Sequence, residues 1–419
     1  MNNTFSVKSV VVEGGTLDVT FSTTGHISKY FNSPLKFHVE YSEDIEKVPV
    51  GIAIIPFVCN VLPIVWLTDS TLELPEIDND FYRSIDKFKQ GYVKMYPMLD
   101  FKGKVSPLKI IESKTSTPPQ QKESSAAFFG GGVDAFATLI AHIAEKPTLM
   151  TLWGSDIPLK DTDGWEVVKN HTLKTAENFG LQAIFVKTNF RELLNYIELN
   201  RLVKMSGDNY WHGFQHGIGI IGHAAPLAAK NGFSTIYIAS SFTVNDNKTC
   251  ASHPDIDGNV RFAGCNIIHD QYEYDRQAKV DHICSFSEKL DEKPHLRVCW
   301  VTTCGNNCCR CEKCLRTMCE IFATGQDPHK YSFNYTTKDL RNSKMNIFSR
   351  GLCISSIGFW EQIKLELINR PQAICPDELE WIKHTDFERE IKSTKMRAGI
   401  FLRNLPSRII NKIKHIFAI

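Results

Sequence analysis

The chain has 419 residues, enough for two or three domains and a sizeable core. A formal net charge of +1 gives no overall pull toward nucleic acid or an anionic membrane, so any such contact has to come from local patches. The first residues, MNNTFSVKSVVVEGG, lack a basic-then-apolar signal pattern. Thirteen cysteines, most between Cys250 and Cys319, then point to metal binding in a reducing compartment, with the cytoplasm as the expected address.

Residues 1–112 read as a β-rich N-terminal domain. Ser6–Val12, Leu17–Ser22 and Leu35–Tyr41 alternate apolar and polar residues between Gly and Ser/Asn clusters, the pattern of antiparallel strands. The apolar run Val50–Leu67 is interrupted by Pro56, Asn60 and Pro63 and reads as a buried strand-turn-strand rather than a membrane span. A helix is expected over Asp78–Tyr92. No paired carboxylates, nucleophile–base arrangement or ligand cluster appears in this region. The polar, Pro-Pro-containing stretch 113–125 reads as a linker.

From Ala126 strands alternate with helices. Strands are expected at Phe128–Phe129, Thr148–Trp153, Gln182–Val186 and Thr235–Ser240, and helices at Asp134–Ala144, Trp165–Phe179, Phe190 to about Val203 and Gly219–Lys230. Continuous apolar strands separated by helices predict an α/β fold, a parallel sheet with helices on both faces. Ligands of such sheets bind beyond the carboxyl ends of the strands, where the strand order reverses. Gly130–Gly132, Gly154–Asp156 and Ser240–Thr243 occupy those ends.

The stretch Ala126–Ile140, AAFFGGGVDAFATLI, places a triple-glycine turn between a short strand and a helix. Glycines let backbone N–H groups approach a ligand, and the following helix adds its unsatisfied N–H groups and positive dipole end, which together suit phosphate. The spacing is not that of the dinucleotide fingerprint, and no Lys-Ser/Thr follows as in a Walker loop. Tyr210–His223, YWHGFQHGIGIIGH, carries His212, His216 and His223 with four glycines. A metal site, a share in a nucleotide or substrate pocket, and histidines satisfied within the core all stay open for it. The long polar stretch Cys250–Asp281 supplies His253 and Asp255 as acid–base or substrate candidates, and Arg276 and Lys279 as anion contacts.

The strongest local signal is Cys299, Cys308, Cys311 and Cys314, spaced C-x8-C-x2-C-x2-C. Two Cys-x-x-Cys turns sharing a cysteine bring thiolates to one centre, and Zn²⁺ takes four such ligands in a closed, structural tetrahedron. Arg310, Lys313 and Arg316 are placed to offset the thiolate charge. Cys304 or Cys309 could replace Cys299 or Cys308, and an iron–sulfur cluster is the rival occupant.

Residues 321–419 form a helical C-terminal region, with Trp360–Ile368 and Pro376–Lys383 its clearest pieces. Ile391–Ile419 is a basic amphipathic tail without an acidic residue. Packing on the body, contact with a membrane surface and contact with RNA backbone are its three readings; the second would make the protein peripheral at a membrane.

Gly130-Gly131-Gly132-Val133-Asp134-Ala135 resembles the Ser-Gly-Gly-x-Asp-Ser pyrophosphate loop of the N-type ATP pyrophosphatase (PP-loop) superfamily, with both glycines and the aspartate matched and both serines replaced. Together with the four-cysteine cluster and the following Leu315-Arg316, it resembles the 7-cyano-7-deazaguanine synthase family, as a divergent member, over 126–320. The resemblance implies a PP-loop (adenine nucleotide alpha hydrolase-like) nucleotide-binding domain carrying a four-cysteine zinc site at 299–314. It further implies an ATP-dependent, AMP-forming ligase or amidotransferase that adenylates a carboxylate or amide oxygen of a small molecule or modified base, with ATP, Mg²⁺ and Zn²⁺ as cofactors and an ammonia donor as partner. Gly130, Gly131, Gly132, Val133 and Asp134 would take the pyrophosphate, and Trp153 to Asp156 would flank the adenine; Asp134, His253 and Asp255 are the catalytic candidates. Sulfur insertion into tRNA is an alternative needing an unligated reactive cysteine, for which Cys265, Cys304 and Cys309 are candidates. A catalytically degenerate nucleotide-binding scaffold is another. An oligomer is compatible with all three.

Overall fold

A computed structural model describes residues 3–112, 124–246, 248–299, 301, 305–350, 352 and 356–392, with 349, 350, 391 and 392 described by backbone alone. The basic tail expected over 391–419 therefore lies almost wholly outside the described residues, as does most of the 113–125 linker. The protein is α/β, built on a large mixed sheet, and its contacts divide it into two units. Met1–Gly130 with Asp134–Asp275 form the first, and Gly131–Val133 with Arg276–Ile419 the second.

Among the described residues, all thirteen strands belong to the first unit. In chain order they are β1 Thr4–Glu13, β2 Thr16–Thr23, β3 Lys36–Tyr41, β4 Thr71–Leu74, β5 Ile77–Asp78, β6 Lys104–Pro107, β7 Ile110–Ile111, β8 Ser124–Phe128, β9 Thr148–Trp153, β10 Ala183–Thr188, β11 Phe233–Ala239, β12 Arg261–Phe262 and β13 Cys265–Asp270. Eleven share one sheet in the order β12-β13-β11-β8-β9-β10-β3-β2-β1-β4-β6; β5 and β7 pair separately.

Five neighbours, β13, β11, β8, β9 and β10, are mutually parallel. Numbered by their own sequence, they run 5-4-1-2-3. The order therefore reverses between β8 and β11, whose carboxyl ends flank a topological switch point. On the far side β3 pairs antiparallel with β10, Tyr41 opposite Val186 and Glu40 opposite Lys187. The strands before and after 113–125 thus belong to one sheet rather than to two domains. The sheet is accordingly mixed rather than wholly parallel, and the chain divides at Asp275/Arg276 instead. A pairing between strands so far apart in sequence leaves no local mark.

Val50–Leu67 differs from expectation more sharply. It forms helices Val50–Ala53 and Ile55–Leu67, with Pro56 in the first turn of the second, where a missing N–H costs nothing, and Pro63 inside it. All but one of the residues Ile55–Leu67 are buried, so no polar face reveals the helical period. Its buried Asn60 donates to Pro56 C=O at 2.9 Å and Gly219 C=O at 3.2 Å, and accepts from Gln215 Nε2 at 2.8 Å. The expected Asp78–Tyr92 helix runs Asn79–Met95, capped by Asp78, whose carboxylate accepts from Phe81 N–H.

Cys250–Asp281, expected as a long polar loop, contains helix Pro254–Asp257, β12, β13 and the start of helix Arg276–Ser287. The second unit is mainly helical, as expected beyond Phe322. Glu312–Ala323, Ile357–Asn369 and Phe387–Lys392 are its principal helices around Leu315, Met318, Trp360 and Ile363, and Asp377–Ile382 is a 3₁₀ turn. No helix among the described residues is long and apolar enough to cross a membrane.

Candidate functional site

The glycine turn leaves β8 where the strand order reverses. Phe129 N–H donates to Met150 C=O at 2.8 Å, holding the strand end against β9 before Gly130. Gly131 has φ +75°, a conformation that favours glycine. Packing gives no reason for Gly132, since a Cβ there meets only Arg297 O, at 3.7 Å. Helix Val133–Ala141 opens directly behind, with Asp134 in its first turn, so N–H groups and one carboxylate face the same crevice edge. Within the second unit, Arg297 N–H donates to Gly131 C=O at 2.7 Å.

The β9 end differs from the adenine-flanking expectation. Trp153 stacks on Trp165 with centroids 5.3 Å apart and planes 4° apart, and its Nε1–H donates to Pro158 C=O. Lys187 Nζ lies 5.5 Å from the Trp153 ring centroid. Gly154, at φ +105°, sits where a Cβ would fall 1.9 Å from Thr188 O, which gives it a structural purpose. Asp156 is exposed.

His253 and Asp255 do not form an acid–base pair. His253 caps helix Pro254–Asp257 by accepting Asp255 N–H on Nδ1, while its Nε2 lies 3.3 Å from Tyr272 OH. The Asp255 carboxylate pairs with the exposed Lys94 at 2.7 Å. Arg276 is used inside the second unit, donating to Glu320 at 3.1 Å and Thr317 at 2.9 Å; Lys279 is buried there.

The three histidines of Tyr210–His223 separate into two roles. His223 is fully buried, with Nδ1 2.8 Å from Gly219 O and Nε2 2.9 Å from Thr188 Oγ1. Burial pushes its pKa down to about 4, so it is a neutral core group. His212 and His216 instead both hydrogen-bond the thiol of Cys250. They are carried by a π-helical turn, Trp211–Gln215, and by the start of helix His216–Ile221. Such turns recur at functional sites.

Asp208, one helical turn before His212, contacts its Nδ1 at 2.8 Å and accepts from Tyr96 OH at 3.0 Å. Burial pushes the Cys250 thiol up, but its bonds to His212 and His216 outweigh this and bring it to about 6. Asp208 and then Cys250 hold His212 up, at about 10. The resting state is a thiolate beside an imidazolium. Sequence reasoning missed Cys250 because it lies 38 positions past His212. The i,i+4 spacing of Asp208, His212 and His216 was the available signal.

In the second unit Cys299, Cys308, Cys311 and Cys314 bring their sulfurs within 4.8 Å of one another; they are the one such group of possible metal ligands among the described residues. Cys299 and Cys311 sulfurs are 3.8 Å apart, and Cys308 and Cys314 sulfurs 3.9 Å. Tetrahedral arms of ~2.3 Å place sulfurs about 3.8 Å apart, so the four fit one ion such as zinc. Cys311 N–H and Cys314 N–H donate to the sulfurs of Cys308 and Cys311, at 3.2 Å and 3.4 Å. Cys311 also caps helix Glu312–Ala323, whose dipole favours thiolates there. Arg310 lies 3.6 Å from Asp339 and Arg316 3.3 Å from Glu312, so both offset carboxylates as well. Cys309, at φ +55°, lies outside the group, and Cys304 lies outside the described residues.

Comparison of the chain with protein-family models, with curated proteins and with solved structures returns no match.

Proposed function

We propose that the protein is an ATP-dependent, AMP-forming ligase or amidotransferase acting on a carboxylate or amide oxygen of a small molecule or modified base. The observation that carries this reading is the glycine turn at the β8/β11 switch point, followed at once by a helix N-terminus with Asp134 in its first turn. The left-handed φ at Gly131 and the open space at Gly132 favour a turn shaped for a ligand rather than for packing. In this reading Gly130, Gly131, Gly132 and Val133 hold the phosphates through backbone N–H groups, and Asp134 supplies the carboxylate for the accompanying Mg²⁺. ATP supplies the adenylyl group and pyrophosphate as leaving group; the chain binds, orients and excludes water.

We infer Zn²⁺ for the cysteine group, in a structural role, because all four ligand positions are filled by thiolates. Sulfur insertion draws no support from its described candidate cysteines: burial pushes both Cys265 and Cys309 up to about 12, which keeps them protonated.

The test is AMP and pyrophosphate release from ATP with Mg²⁺, by zinc-loaded protein, with ammonia and a panel of carboxylate acceptors. The expected outcome is turnover that falls at least ~100-fold in Asp134→Ala. Nucleotide binding without AMP would favour the non-catalytic scaffold, and absence of nucleotide binding would overturn the proposal.

A further inference from the structure

The first unit carries a third constellation that neither phosphate binding nor metal binding uses. We propose that Cys250 is the nucleophile of an acyl-transfer site, with His212 exchanging its proton and with Asp208 and Tyr96 as positioning residues. Its substrate class is a small acyl compound bearing a displaceable amine or adenylate. The geometry is that of a nucleophile, a base and an orienting carboxylate in series. Cys250 bonds to His212, His212 Nδ1 lies 2.8 Å from Asp208, and Asp208 accepts from Tyr96 OH at 3.0 Å.

The backbone is shaped to hold this series together. Ala251 N–H donates to His212 C=O at 2.8 Å, tying the residue after the thiol to the histidine itself. A Cβ at Gly213 would lie 2.6 Å from Tyr96 OH and 2.9 Å from Asp208 Oδ2. At Gly217 a Cβ would lie 2.5 Å from Ala251 O. Glycine at these two positions lets the helix close on both ends of the series. Burial sorts the parts as well: Cys250 is 4% exposed, whereas the His212 side chain beside it is 40% exposed and offers the approach. His212, His216 and Cys250 form no metal-ligand group by the spacing that the four clustered cysteines satisfy.

The step balances without an added oxidant or reductant. Cys250 Sγ, as thiolate, attacks the acyl carbon, forming a C–S bond while the C–N or C–O bond breaks. A leaving amine takes its proton from the His212 imidazolium; a leaving adenylate departs as the phosphate anion. Water or an amine, deprotonated by neutral His212, then attacks the thioester and Cys250 leaves as thiolate. The amide route stands alone, whereas the adenylate route rests on the ligase reading above.

The test uses p-nitrophenyl acetate on zinc-loaded full-length protein, followed by peptide mass mapping under mildly acidic conditions. The expected result is a burst of one p-nitrophenolate per chain with the acetyl group on Cys250. Burst rates should be half-maximal near pH 6, the value that His212 and His216 give the thiol against Asp208, Asp156, Asp257 and Tyr96 around them. His212→Ala should slow the burst roughly 100-fold, and Asp208→Asn should move the pH midpoint upward while leaving the acetylated residue the same. Acetyl found on other cysteines and not on Cys250, or a Cys250 burst that titrates near 9 and ignores His212→Ala, would overturn the proposal. Mapping on the unsubstituted protein keeps the test independent of how the variants fold. Glutamine alone, and ATP with a carboxylate, then separate the two leaving groups by ammonia or AMP release; silence in the second arm leaves the burst result standing.

Discussion

A single histidine couples the core to pH. His223 is neutral between Gly219 and Thr188, and burial lowers its pKa to about 4 from the ordinary 6.5. The unfolded chain therefore binds a proton that the folded chain refuses between those values, so stability is complete above pH 6.5 and is lost as pH falls toward 4. The difference corresponds to about 3 kcal/mol. Urea unfolding at about pH 7 and about pH 4.5 should show the loss, and His223→Gln should flatten it while lowering stability at neutral pH. The same segment marks the limit of reading residues alone. Three histidines were visible, yet only the fold separates a core group from two that face a thiol. The deciding partners, Thr188, Asp208 and Cys250, all lie outside the segment.

At the level of elements, legibility followed exposure. The alternating strands β1, β2 and β3 and the capped helix Asn79–Met95 each show one face to solvent, and their period survives in the sequence. Helix Ile55–Leu67 is buried almost all round, so its apolar run was indistinguishable from strand. The glycines of Tyr210–His223 were visible, but their purpose was not. They are close-approach positions: beyond Gly213 and Gly217, a Cβ at Gly219 would meet Asn60 Oδ1 at 2.6 Å. Gly217→Ala should therefore push the Ala251–Ser252 backbone away, at a cost of about 1–3 kcal/mol in chemical unfolding. The pH midpoint of Cys250 alkylation by iodoacetamide should at the same time shift toward that of an ordinary thiol. A variant with unchanged stability and an unchanged midpoint would contradict the close packing described.

For the whole molecule, the two units call for separate experiments. Chelation with EDTA should remove hydrogen-exchange protection from Glu312–Ala323 and the turns before it, because ion binding and local folding are one event there. Protection in β8, β9 and β11 should persist, and simultaneous loss in both would contradict a structural ion confined to the second unit. The four-cysteine site was legible because metal ligation writes a short spacing into the chain. The sheet was legible only in its parts, since β3 and β10 meet across a long intervening stretch of sequence. That pairing also orders synthesis. The meander of β1, β2 and β3 leaves the ribosome well before β10, so its outer strand waits with an unmatched row of N–H and C=O groups until Val186 and Lys187 arrive opposite Tyr41 and Glu40. Until then the nascent chain carries an open template that other strands could extend. The Glu40 and Lys187 ion pair at 2.8 Å then adds opposite charge to the register that closes it.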